Sequence, residues 1–138
     1  MQFNKGDKLN KLLIDFGMLS KMRATAIVSR DGFIIASIIN DSYLGNGGNI
    51  FNDEIIAGMA AEMIMLGERT TDELLKTTPQ RVIIDSKLGT IVLVTAGKEA
   101  VIISIINRDH LGIVLLNLQK LAKQVENILL ISSNQQKN

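Results

Sequence analysis

Between Ile55 and Gly67 there is a single charged residue, Glu62. The spacing predicts a helix there, and its composition limits what the rest of the chain can be. Ile56, Met59, Ala60, Met63 and Leu66 recur every three or four residues and form a stripe that can face a sheet. The remaining positions are not polar, as a solvated side would be. They are Ala57, Gly58, Ala61, Ile64 and Met65. A helix that is apolar almost all round is buried on two sides. A 138-residue chain fits one domain, with residues 7–130 as its core and no second domain to cover the second side. A further protein chain is the simplest supplier; the alternative is an intramolecular core beneath the loop that precedes the helix. The two arrangements differ in whether an isolated protomer exposes a large apolar patch.

The small residues sharpen the first reading. Small side chains let a second backbone approach closely. Gly58 costs about 1 kcal/mol of helix propensity relative to alanine, so something gains from its missing methyl. Met59, Met63 and Met65 add adaptable, polarizable surface. Ala57, Gly58, Ala61, Glu62, Ile64 and Met65 are therefore the candidate contacts on this helix.

The surrounding pattern supplies the framework. Leu9, Leu12, Leu13, Phe16 and Leu19 mark a first amphipathic helix with Asp7 as its expected N-cap. Two β-rich runs, 23–29 and 33–39, meet through Arg30-Asp31-Gly32, and an Asp-Gly pair supplies the positive φ of a tight hairpin turn. Residues 40–51 hold three glycines and no apolar period, which reads as a loop. The middle helix is expected over residues 52–75, with Asn52 as its cap. Strands follow at 81–85, 90–95 and 100–107, and a last helix at 110–130 carries Val114, Leu118, Leu121, Val125 and Leu129 on one stripe. The polar tail, 132–138, is expected to fray. The order α-β-β-α-β-β-β-α describes an α+β domain: a five-stranded antiparallel sheet with helices on both faces. Pro79 precedes the third strand, and proline is tolerated at a sheet edge but not in a central strand. Val82, Ile83 and Ile84 are thus a candidate edge that a two-fold copy can pair with.

Charge and residue usage exclude several classes. The formal net charge of +1 lacks the basic excess of a general nucleic-acid or membrane-surface binder. Five aromatic residues provide no base-stacking platform. Without cysteine there is no disulfide, thiolate catalysis or cysteine-based zinc site, which fits a reducing cytoplasm. The polar first eleven residues lack the apolar core of a signal peptide, and no apolar run approaches the length that spans a bilayer.

Signals that imitate chemistry are weak. Gly45-Asn46-Gly47-Gly48 lacks the Lys-Ser/Thr of a phosphate-binding P-loop and does not match a dinucleotide fingerprint. His110 is the only histidine and has no convergent partners in the sequence. Ser29, Ser37, Ser86 and Ser104 have no histidine base at a useful spacing. Arg69, Arg81 and Arg108 are candidates for an arginine finger acting on a partner's nucleotide, though each reads more simply as a solvated side chain. No catalytic residue, cofactor or metal is expected.

Three segments together resemble the Roadblock/dynein light chain domain family: Ala26-Ile27-Val28-Ser29-Arg30-Asp31-Gly32-Phe33-Ile34-Ile35-Ala36, the Ala/Met-rich helix of residues 55–67, and the apolar pair Val82-Ile83-Ile84-Asp85 with Ile91-Val92-Leu93-Val94. The likeness covers residues 7–130. It implies dimers formed through antiparallel middle helices and edge-strand pairing. It also implies a middle-helix face presented to small Ras-like GTPases, with prokaryotic members that promote hydrolysis by remodelling the GTPase, without an arginine finger. Eukaryotic members sit in dynein light chains and lysosomal scaffold complexes. The expected function is a cytoplasmic, homodimeric interaction module that regulates a small GTPase. The alternative is a structural scaffold subunit with no GTPase role. The loop at 40–52 is longer and richer in glycine than the family pattern, and any membrane anchor is expected to come from a partner.

Overall fold

The fold is described from a computed structural model over residues 4–40 and 53–136. Helix α1 (Lys5–Leu19) leads into strands β1 (Met22–Ser29) and β2 (Ile34–Ile39). Helix α2 (Asp53–Leu75) follows, then β3 (Val82–Ser86), β4 (Gly89–Ala96) and β5 (Ala100–Ile106). A short 3-10 turn, Arg108–His110, opens into α3 (Leu111–Gln136). The element order is the one the sequence predicts. The Gly-rich cluster 45–48 and the expected cap Asn52 lie outside the described residues.

The five strands form one antiparallel sheet in the order β2-β1-β5-β4-β3. Each hairpin joins neighbours in sequence, and the pairing of β1 with β5 unites the two halves. The β1–β2 turn closes at Gly32, whose φ of +92° only glycine adopts without strain. Among the described residues β3 pairs with β4 alone and is an edge, as Pro79 indicates.

Helices cover both faces. α1 and α3 pack side by side on one, burying Leu9, Leu13 and Phe16 with Val114, Leu118 and Leu121 over Ile27, Val92, Ile102 and Ile106. Asn117 Nδ2 donates to Ser20 Oγ at 2.9 Å, which ties the start of α3 to the end of α1. α2 lies on the other face over Ala24, Ala26, Val28, Leu93, Val101 and Ile103. Strands β1 and β5 are covered on both sides, so they read as nearly continuous apolar runs rather than alternating ones.

Two local expectations are corrected. The N-cap of α1 is Asn4, whose Oδ1 accepts from the Asp7 backbone N–H at 2.8 Å. Asn caps as well as Asp, and a start three residues earlier leaves the Asp7 carboxylate in the first turn, beside the positive helix end. At the other terminus α3 continues to Gln136, past the helix end expected at residue 130. Neither glycine nor proline interrupts it, and glutamine is a good helix former.

Candidate partner-binding face

α2 crosses the sheet and touches all five strands. Its inner side consists of Ala57, Ala60 and Ile64, which are fully buried, with Ile56 and Met63 beside them. Opposite Ala57 and Ala60 stand Ala24 and Ala26 of β1, and these short side chains let the helix settle close to the sheet. At Gly32 a methyl would lie 3.6 Å from Gly58 Cα, and at Gly67 one would come within 2.9 Å of Val82 Cγ2. The helix therefore enters over the β1–β2 turn and leaves over the start of β3.

This placement agrees with the expected faces at Ile56, Ala60 and Met63, which pack toward the sheet, and at Met65, which is exposed, and departs from them at five other positions. Ala57, Ala61 and Ile64, expected to point away from the sheet, are packed inside the protomer. Met59 and Leu66, expected to face it, are exposed. The physical reason is that small residues serve close approach equally well against the chain's own sheet or against another molecule. Gly58 is half-buried, and among the described residues no atom outside its own stretch of helix lies within 4 Å of the position its Cβ would take.

The outer row of α2 is Ile55, Met59, Glu62, Met65 and Leu66; the four apolar members are 48–60% exposed. Ile55, Met59 and Leu66 were not among the candidate contacts read from the sequence, although Met59 was named there as adaptable surface. Glu62 was the signal that could have found them, because Ile55, Met59 and Leu66 lie seven and three residues before it and four after it, on its side of the helix. Beyond Gly67 the last two turns of α2 end in Leu74 and Leu75, both largely exposed. On the neighbouring edge strand Ile83 and Ile84 are exposed, while Val82 is half-buried and packs into the α2 layer. An apolar row on the helix and an unpaired strand edge thus adjoin on one side of the molecule.

Electrostatic contacts frame this face. Arg30 Nη1 donates to Glu68 Oε1 at 2.6 Å, which fastens the β1–β2 turn to α2. The Arg108–Asp85 pair, 2.7 Å, is largely solvated. Arg69 is exposed and Arg81 half-buried. Ser29 Oγ accepts from the Phe33 N–H, and Ser104 is buried in a hydrogen bond with Thr25. Among the described residues no group of three His, Cys, Asp or Glu side chains is placed to hold a metal ion.

No family model matches the chain. The uncharacterized proteins MJ1340 and MJ0310 of Methanocaldococcus jannaschii are each 20% identical to it over 118 residues, which is 86% of this chain and 96% of each relative. Among solved structures, MglB with a tetrameric arrangement is similar at a TM-score of 0.80 and 15% identity, covering 93% of this chain and 92% of that one. Myxococcus xanthus MglB gives a TM-score of 0.78 and 16% identity, over 94% of this chain and 92% of its own. A Roadblock/LC7 domain from Streptomyces avermitilis gives 0.73 and 14%, over 88% of this chain and 97% of its own. With the element order, the five-stranded antiparallel sheet and the helices on both faces in common, the chain has the Roadblock/LC7 fold.

Proposed function

We propose that this chain is a cytoplasmic Roadblock-type interaction module that self-associates and regulates a small Ras-like GTPase, with the partner performing the hydrolysis. The observation that carries this reading is the continuity between the apolar outer row of α2 and the free edge of β3. An apolar helix row beside an unpaired strand offers both side-chain burial and main-chain pairing to a second molecule. A two-fold copy meets the same elements in reverse, so Met65 and Leu66 contact their counterparts and β3 extends the sheet. The resemblance of the fold to MglB and to Roadblock/LC7 domains supports the same use of the face.

Light scattering on the eluting full chain tests self-association first. The expected mass is twice the 15.1 kDa of the chain. Met65→Arg places a charge on the outer row without disturbing the protomer core and is expected to shift the mass to that of a monomer. A wild-type monomer would overturn the self-association. The GTPase reading is tested by binding to small GTPases of the same organism loaded with GTP or GDP. Preference for one nucleotide state, lost in Met65→Arg, is the expected result. A stable dimer that binds neither state of any of them would leave a structural scaffold as the function.

A further inference from the structure

The formal net charge of +1 conceals a separation of charge across the sheet. α2 carries six acidic residues against one basic, Arg69. On the opposite face, α1 and α3 together with Lys21 just past α1 carry six lysines against three carboxylates. Asp15 lines the same groove between α1 and α3 as Lys120, and Glu126 lies against the Gly97 turn at the side of the layer. The third, Asp7, sits in the first turn of α1. Lys8, Lys11, Lys21, Lys120 and Lys123 are all exposed.

The same layer exposes large apolar side chains. Met18 and Leu19 at the end of α1 are 80% and 78% exposed, and Ile14, Ile113, Leu116 and Ile131 are about half exposed. They do not gather in one pocket; the groove between the helices is a shallow space of about 270 Å³. They are spread along both helices, with Lys21 two residues after Leu19 and Lys120 one turn after Leu116.

We propose that the α1/α3 layer is a docking surface for the face of an anionic lipid bilayer. The lysines match the charge of the headgroups. Their aliphatic stems let neighbouring apolar side chains sink while the ammonium groups stay at headgroup level. Helices lying in the interface in this way need no spanning segment, and none of the described helices is long and apolar enough to be one. The acidic α2 face then points away from the membrane and stays open to partners. This inference does not rest on the GTPase reading.

The test is flotation of the full chain with vesicles of phosphatidylcholine, with and without phosphatidylglycerol, at low and high salt. The expected result is flotation only with phosphatidylglycerol, abolished by high salt. Lys120→Glu with Lys123→Glu is expected to lower partitioning by at least about tenfold, given the usual contribution of each lysine at an anionic surface. Leu19→Ser is expected to lower it further, and Met65→Arg on α2 to leave vesicle binding intact. Both lysines are exposed, so the double variant keeps the wild-type unfolding transition. Absence of flotation, flotation indifferent to phosphatidylglycerol, or an unaffected lysine variant would each overturn the proposal. So would a change in the solution mass of the lysine variant, which would identify the layer as a contact between copies of the chain.

Discussion

Arg30 reaches from the β1–β2 turn to Glu68 on α2 and donates to it at 2.6 Å, with both side chains about three-quarters buried. Its Nη2 donates to the Gly97 carbonyl at 3.4 Å, and its Nε is buried without a partner. One guanidinium therefore holds together the turn, the helix and the β4–β5 connection. Glu68→Ala would leave that largely buried cation without its paired carboxylate, which costs about 1–3 kcal/mol. Arg30→Lys should recover only part of the stability, because a single ammonium cannot span both acceptors in fixed geometry. Urea unfolding of the three proteins checks the order. Equal stability of Glu68→Ala and wild type would show the ion pair to be incidental.

Gly32 and Gly58 meet closely, yet they should respond oppositely to the same change. Gly32→Ala forces an alanine to a φ of +92° and should destabilise the fold by about 1–3 kcal/mol. Gly58→Ala adds a methyl that meets none of the described residues outside its own stretch of helix, and gains about 1 kcal/mol of helix propensity. Thermal unfolding at low concentration should separate the two. If Gly58→Ala instead lowers stability in step with a loss of mass, the space beside Gly58 is filled by a second chain.

Thr25 on β1 and Ser104 on β5 share a buried hydrogen bond of 2.8 Å, and Ser104 Oγ also donates to the Ala24 carbonyl at 3.3 Å. Thr25 is thus the donor to Ser104. Ser104→Ala strands the threonine hydroxyl and should cost about 1–3 kcal/mol. Thr25→Val leaves the serine its carbonyl acceptor and should cost less. Denaturant midpoints of the two variants give the comparison; a costlier Thr25→Val would reverse the assigned direction of the bond.

α2 stops where Lys76 turns into the left-handed region, at a φ of +55°, and donates its backbone N–H to Asp72 O at 3.1 Å. Glycine is the usual residue at such a stop. Lys76→Gly should therefore stabilise the fold by roughly 0.5–1 kcal/mol, read as a higher Tm. A lower Tm would mean that the lysine side chain does more than tolerate the turn.

The element order was legible because helical and alternating periods are separated by clear turn signals such as Asp31-Gly32. Pro79 marked β3 as an edge for a reason that survives folding, since proline cannot donate to a ladder. The orientation of α2 was legible only in part. Its two candidate stripes are nearly equal in hydrophobicity, and alanines suit a close helix–sheet contact as well as an interface. Only Glu62 broke the tie, and it indicated the side that is in fact exposed. For the same reason Ala61→Arg is a poor probe of partner binding: Ala61 is 6% exposed, and a charge there perturbs the fold itself. The division of charge between the two faces was invisible in a net value near zero.

The pairing of β1 with β5 has a consequence for how the chain reaches its native state. Thr25 waits for a partner 79 residues further along, and the two strands form the middle of the sheet. Until β5 is made, the α1–β1–β2 segment has no central neighbour, and the alanine-lined side of β1 cannot be sealed against a complete sheet. Non-local pairing of this kind slows folding and leaves strand edges open to wrong neighbours. During synthesis the N-terminal half must therefore persist as an unfinished sheet, and the last third of the chain both completes the ladder and, through α3, closes the layer above it.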